Sequence, residues 1–183
     1  FAEDAFDYIV IDEFHHASAK TYRRLIDHFE PQFLLGLTAT PDRSDGADLL
    51  ALCGEKHVFR CDLVRGIEQE LLSAFHYFGV PDPVDYANIP WRSGRFDPEH
   101  LETAVVTQAR AENAFEQWQK RGGERTLAFC VSTRHADYMA HFFLSRGVPC
   151  VAIHSNATAP RAESLEQLAS GDLKIVFAVD MFN

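Results

Sequence analysis

The chain has 183 residues, 46% of them apolar, and a formal net charge of −10. This length and apolar content allow a buried core in one domain or in two small ones. No apolar run is long enough for a membrane-spanning helix, and the negative charge argues against binding a nucleic-acid backbone through bulk electrostatics. The four cysteines form no CxxC pair, which favours a reducing, cytoplasmic protein.

The first elements predict one strand–helix–strand unit. Phe6–Ile11 is an apolar run typical of a buried strand, and Phe33–Thr40 is a second such run that ends at Pro41. Between them, apolar residues recur at helical spacing; they are Tyr22, Leu25, Ile26 and Phe29. A right-handed crossover over this distance should leave the two strands parallel.

The middle of the chain is less regular. The run "AFHYFGV" predicts a strand, and the proline-rich stretch from residue 81 to residue 98 predicts an irregular excursion. One long helix is expected from Pro98 to about Lys120, ended by Gly122.

The last third predicts a βαβαβ lobe with a parallel sheet. Its strands are "RTLAFCV", "VPCVAIH" and "KIVFAV", and Ser132 should cap the helix that follows the first of them. The chain is therefore expected to be α/β. Its two lobes should be divided near residue 65, at 1–65 and 66–183.

Polar side chains follow both strands of the first unit. Asp12 and Glu13 come directly after the first strand, and Thr38 and Thr40 end the second. Because parallel strands present their carboxyl ends at one edge, these four residues should be near neighbours. Asp12 could hold Mg²⁺ through water, and Glu13 could act on an attacking water molecule. From the residues alone, an ordinary strand exit into solvent and a simple helix-cap turn remain open.

The histidines at this edge suggest a transition-metal site only weakly. His15 and His16 are adjacent, so neither stands at the i, i+4 spacing of a helical zinc motif. Extended backbone would point the two rings apart. We therefore interpret His16 as a surface or capping residue.

Several motifs, in order, resemble those of superfamily 2 helicases. "VIDEFHHA" and "LLGLTATPDR" resemble motifs II and III of the DEAD/DEAH-like branch, as found in type III restriction Res subunits and related bacterial helicases. "RTLAFCVSTRHADYMAHFF" resembles motif IV, and "VAIHSNATAPRAESLEQLASGDLKIVFAVDMFN" resembles the segment that runs into motif V. The resemblance implies the C-terminal part of a first, ATP-binding RecA-like lobe over 1–65. It also implies a second RecA-like lobe over 66–183, incomplete at its C-terminus.

The resemblance implies a role for each matching residue. In the first lobe, Asp12 would bind Mg²⁺ with ATP and Glu13 would be the general base. His15, Thr38 and Thr40 would couple hydrolysis to movement of the lobes. In the second lobe the implied nucleic-acid contacts are Ser132, Thr133, Arg134 and Asn183, with Asp180 in the nucleotide-facing part of motif V.

The resemblance implies a motor that moves on nucleic acid, DNA more than RNA, at the expense of ATP. The 183 residues contain no phosphate-binding P-loop with its lysine and no arginine-bearing motif VI, so we expect them alone to be inactive. The TAT strand would also lack a neighbour on one side, which predicts either self-association through that edge or local disorder there. Two alternatives remain: a degenerate RecA-like protein-interaction module, and a translocase subunit of a restriction enzyme.

Overall fold

The computed structural model describes residues 1–17, 19–40, 50–54, 56–82, 84–122, 125–157 and 159–179. The chain divides into two compact units, Phe1–Tyr77 and Phe78–Asn183. The domain limits 1–65 and 66–183 stay a prediction. No helix in the described ranges is long and apolar enough to cross a membrane.

The first unit contains the predicted strand–helix–strand arrangement. Its elements are β1 (Tyr8–Ile11), a 3₁₀ turn (Phe14–His16), α1 (Lys20–His28), β2 (Phe33–Gly36), a second 3₁₀ turn (Leu50–Cys53) and α2 (Leu63–Glu68). β1 and β2 are parallel, as the spacing predicts, with Tyr8 opposite Phe33 and Ile11 opposite Gly36.

A small apolar cluster lies at the carboxyl end of β1. Ile11, Phe14 and Ala17 are buried, and Tyr22 and Ile26 of α1 pack against them. A side chain at position 36 would collide with this cluster, because a Cβ on Gly36 would lie 2.8 Å from Phe14 Cδ2 and closer still to two other ring atoms. The close approach of Phe14 to β2 therefore requires glycine at position 36.

The second unit is a three-stranded parallel sheet with helices and an N-terminal β-hairpin. Its elements are a 3₁₀ turn (Tyr86–Asn88), β3 (Trp91–Arg92), β4 (Arg95–Phe96), α3 (Pro98–Val105), α4 (Gln108–Arg121), β5 (Thr126–Phe129), α5 (Thr133–Leu144), β6 (Cys150–Ile153), α6 (Arg161–Ser170) and β7 (Ile175–Ala178). The sheet order is β5–β7–β6, and both pairings are parallel.

Strand β7 is buried along its whole length because it lies between the other two strands. The core on one side includes Phe143, Phe177 and Cys150. Burial raises the pKa of Cys150 to about 11 and that of Cys130 to about 12, so both thiols stay protonated at neutral pH. They behave as small apolar side chains.

Most of the predicted elements of the last third are confirmed. The sheet is parallel, Ser132 caps α5, and α6 ends at Gly171 with a φ of 90°. The α/β class predicted from the sequence is therefore correct.

Three predictions for the middle of the chain are wrong. Residues 74–80 form no strand: they are exposed and no strand pairs with them in the described ranges. The single helix expected over 98–120 is two helices, because β-branched residues 105–107 disfavour helix and Thr107 adopts extended backbone and caps α4. The irregular excursion contains a β-hairpin, since Ser93 and Gly94 both take the positive φ that a tight two-residue turn needs.

Candidate functional site

The pairing of β1 with β2 continues beyond both strands. Leu37 N–H donates to Ile11 O at 2.9 Å, and Phe14 N–H donates to Leu37 O at 2.8 Å. These two backbone hydrogen bonds place His15, which follows Phe14, beside Thr38, which follows Leu37. The sequence-predicted neighbours, His15 and Thr38, are thus brought together by the backbone register.

The side chains of this edge form a connected group. His15 Nδ1 lies 3.3 Å from Thr38 Oγ1 and 3.2 Å from Glu13 Oε2. Thr38 Oγ1 also accepts from the backbone N–H of Thr40 at 3.1 Å. Glu13, His15, Thr38 and Thr40 therefore lie in one connected group, joined by an ion-pair contact between Glu13 and His15 and by hydrogen bonds at Thr38.

Glu13 adopts the left-handed conformation, with φ 49° and ψ 47°. This region costs a residue with a side chain roughly 1 kcal/mol or more, and such strain is concentrated at functional sites. Its N–H donates to Asp12 Oδ1 at 2.8 Å, which holds the two acidic residues in a sharp turn. Both side chains are exposed, so each carboxylate can reach a ligand.

His16 does not point away from His15. The two ring centroids are 4.0 Å apart, because the chain enters a 3₁₀ turn at Phe14 and is not extended there. The expectation of diverging rings is therefore wrong. His16 is exposed, in keeping with the surface role expected of it.

The second predicted group lies at the carboxyl end of β5. Cys130 N–H donates to Ala178 O at 2.8 Å and extends the sheet toward Ser132. Ser132 Oγ then accepts from His135 N–H at 3.1 Å and caps α5. Thr133 begins this helix and is half-buried. The free N–H groups of such a helix start favour an anion.

A carboxylate of another helix contacts this group. Glu102 Oε1 in α3 lies 3.2 Å from Arg134 Nη1. Hydrogen bonding from the Ser132 hydroxyl and then from Arg134 lowers the pKa of Glu102. Glu102 thus makes contacts with Ser132 and Arg134 of the kind that a phosphate would make. Sequence reasoning did not single out Glu102, because nothing in an exposed helical glutamate signals its partner.

His154 follows β6, and the sequence assigned no role to it. It is buried, its Nε2 lies 3.0 Å from Asp137 Oδ1, and its Nδ1 accepts from Asn156 N–H at 3.3 Å. The histidine therefore ties the loop after β6 to α5. The remaining predicted residues, Asp180 and Asn183, lie outside the described residues.

Known proteins match this chain both in sequence and in structure. Residues 1–43 match the family model for the type III restriction enzyme, res subunit. The chain superposes on the structure of a fragment assigned as an HsdR subunit of a type I restriction enzyme from Vibrio vulnificus YJ016. The TM-score is 0.58 at 22% identity, and the match covers 99% of this chain and 35% of that one. The likeness shows a shared fold.

By these matches the chain is similar to superfamily 2 helicases. A Schizosaccharomyces pombe protein assigned as a mitochondrial ATP-dependent helicase, irc3, is 25% identical over 171 residues, which are 88% of this chain and 28% of that protein. The EcoAI type I restriction enzyme endonuclease subunit of Escherichia coli is 28% identical over 160 residues, 75% of this chain and 19% of that one. The helicase-like chain spans 19% to 38% of the lengths of the four curated relatives it matches.

Proposed function

We propose that this chain is part of a motor that hydrolyses ATP and moves on nucleic acid, DNA rather than RNA. The observation that carries the proposal is the connected group Glu13–His15–Thr38 at the carboxyl end of β1 and β2. It joins a candidate general base to the neighbouring strand through one histidine. Ligands of parallel α/β sheets bind at this end of the strands.

In this proposal Asp12 and Glu13 have separate roles. Asp12 would hold Mg²⁺, and its carboxylate fits this role. One of its oxygens accepts from Glu13 N–H, whereas the other has no partner among the described residues. An exposed carboxylate oxygen is the donor that Mg²⁺ prefers. When bound, Mg²⁺ offsets the charge of the nucleotide phosphates. Glu13 orients the attacking water and accepts its proton.

His15 and Thr38 have a positioning role. A change at Glu13 is transmitted to β2 through the shared Nδ1 of His15. In the second unit, Ser132, Thr133 and Arg134 contact the nucleic-acid backbone, where the capped start of α5 favours phosphate.

We further propose a cytoplasmic location, which is supported by four free cysteine thiols.

Hydrolysis of ATP is tested in the protein expressed from its complete reading frame. Glu13→Gln should reduce nucleic-acid-stimulated phosphate release by about 10²–10⁴-fold, the range for loss of a general base. The matched control is Glu3→Gln, which changes the same charge in the same unit at an exposed site. Equal turnover in the Glu13→Gln variant and the parent protein would contradict the proposal.

The 183 residues alone are expected to release no phosphate from ATP, since they include no P-loop lysine. They are also expected to associate through β2, which pairs only with β1 among the described strands. Sedimentation of the 183-residue chain tests the association. A chain that stays monomeric at high concentration would contradict it.

A second candidate is a restriction-enzyme translocase subunit, favoured by the 28% identity to the EcoAI subunit. Such a motor moves along duplex DNA without separating its strands. Displacement of a triplex-forming strand from a duplex, without unwinding of a forked substrate, distinguishes this candidate from a helicase.

A further inference from the structure

The β-hairpin of the second unit has one aromatic face and one basic face. Trp91 pairs with Phe96 across β3 and β4, and Arg92 pairs with Arg95. Since cross-strand partners lie on one face of an antiparallel pair, the two rings share one face and the two guanidinium groups share the other. Trp91 is 61% exposed although it is one of only two tryptophans in the chain.

The basic face is unfavourable for the hairpin itself. Like charges directly opposite each other destabilise a strand pair, and an isolated two-stranded hairpin is marginal in water. Neither arginine has a salt bridge within the described ranges. The carboxylates nearby are used elsewhere: Asp82 pairs with Arg110 at 2.7 Å, and Asp97 bonds His100. Hydrogen bonds from His100 lower the pKa of Asp97, and Arg92 is near enough for its positive charge to help lower that pKa too. In a chain with a net charge of −10, neither arginine of the hairpin therefore has a carboxylate at ion-pair distance within the described ranges.

The hairpin has a fixed position relative to the second predicted contact group. Asp97 N–H donates to Pro90 O at 2.7 Å and closes the base of the hairpin, and Asp97 also caps α3. Glu102, which contacts Arg134, lies five residues further along this helix. At 1.5 Å per residue this rise is about 7.5 Å. One short helix therefore joins the hairpin to the start of α5.

We propose that the hairpin Trp91–Phe96 binds single-stranded nucleic acid, with a base stacked on Trp91 and phosphates held by Arg92 and Arg95. An exposed aromatic ring beside cations is the arrangement by which proteins bind single strands without reading their sequence. The hairpin extends the contact surface from Ser132 and Arg134 along α3. The inference rests on the proposed function, since it assigns further contacts to the same partner.

Tryptophan fluorescence tests the stacking directly in the 183-residue chain. In a Trp118→Phe variant Trp91 is the only tryptophan, and saturation with oligothymidylate at low salt should quench its emission. Heparin supplies negative charge without bases and should quench far less. If Trp118→Phe lowers the melting temperature, quenching is measured instead in the parent chain and in Trp91→Phe. The quenching lost in Trp91→Phe is then the contribution of Trp91.

Salt dependence tests the two arginines. Binding of labelled oligothymidylate is followed by anisotropy in the parent chain and in Arg92→Gln/Arg95→Gln. Losing two phosphate contacts should reduce the slope of log K against log salt by about 1.4. The matched control is Arg23→Gln/Arg24→Gln, an equal charge change on the exposed part of α1, which should leave the slope unchanged.

The outcomes separate the two proposals. Oligothymidylate binding by anisotropy with unchanged Trp91 emission would overturn the hairpin inference and leave the proposed function standing. An equal fall in slope in both arginine pairs would also overturn it. No binding of oligothymidylate or oligouridylate by the parent chain at low salt would overturn the nucleic-acid part of the proposed function, and the hairpin inference with it.

Discussion

His15 and Thr38 are 23 positions apart in the sequence, yet His15 Nδ1 lies 3.3 Å from Thr38 Oγ1. The backbone bonds from Leu37 to Ile11 and from Phe14 to Leu37 impose this proximity. The side-chain contact is therefore a consequence of the strand register, and it links the acidic turn after β1 to the end of β2.

Removing the Thr38 hydroxyl should uncouple hydrolysis from movement. In the protein from the complete reading frame, Thr38→Val should keep ATP turnover within a few-fold. It should lower strand displacement per ATP by about tenfold, the equivalent of one lost hydrogen bond. Thr38→Ser keeps the hydroxyl and is the control. Parallel losses of turnover and displacement would assign Thr38 to hydrolysis itself.

A methyl group at position 36 should destabilise the first unit. Gly36→Ala forces the Phe14 ring to move, since the added Cβ would lie within collision distance of three ring atoms. Overpacking of this kind costs about 1–3 kcal/mol of unfolding free energy. Gly79→Ala is the matched control, because nothing lies within 4 Å of a Cβ there. Chemical denaturation of both variants measures the difference, and equal stabilities would show that Phe14 is not held against β2.

The sequence is most informative where a local pattern fixes the position of a residue on a strand or at a helix start. Asp12, His15 and Thr38 could be placed together because parallel strands share an edge, and Ser132 could be assigned as a cap from its position before an apolar-periodic helix. Side-chain partners from a different helix could not be predicted. Glu102 is one such partner, because its contact depends on where α3 ends and how it packs on α5.

The errors in the middle of the chain have a common cause. The apolar run at residues 74–80 has the composition of a strand, but a strand requires a partner, which no local pattern supplies. Likewise, helical spacing continues through residues 105–107 although the backbone does not, because Thr107 satisfies Arg110 N–H with its own hydroxyl. At Thr107 a local side-chain hydrogen bond to the backbone therefore ends one helix and begins another, although the apolar spacing continues.

Glu102 should compete with phosphate for Arg134 and Ser132. Glu102→Gln removes the negative charge and should raise the affinity of the 183-residue chain for oligothymidylate by about fivefold at low salt, with less effect at high salt. Glu99→Gln, an equal charge change at an exposed site in the same helix, is the control. Equal gains in both variants would attribute the effect to net charge alone.

The ionisation of Glu102 should report the same contacts. Hydrogen bonding from Ser132 and Arg134 lowers the pKa of Glu102, so its stabilising contribution is present above the ordinary glutamate pKa of about 4.3 and is lost as pH falls through the lowered value. Ser132→Ala should move the pKa of Glu102 upward in a carboxyl NMR titration. It should also cost about 1 kcal/mol of stability through the lost cap. An unmoved Glu102 pKa in this variant would contradict the contact.

His135 should make the second unit sensitive to acid. Burial, followed by the neighbouring Arg110, lowers the pKa of His135, while Glu102 acts in the opposite direction. The unfolded chain therefore takes up a proton near pH 6.5, at about the ordinary histidine pKa, whereas the folded chain does not. Stability attributable to His135 is complete above that pH and falls as the pH drops toward the lowered value.

Substitution of His135 should flatten this dependence. His135→Gln retains an acceptor for Val131 N–H, which bonds His135 Nδ1 at 3.4 Å. Between neutral pH and about pH 5, its unfolding free energy should decrease less than that of the parent chain. His141→Gln removes an exposed histidine from the same helix and should leave the parental slope intact. Denaturant unfolding at a series of pH values measures the slopes, and a slope in His135→Gln as steep as in the parent would assign the acid sensitivity to other groups.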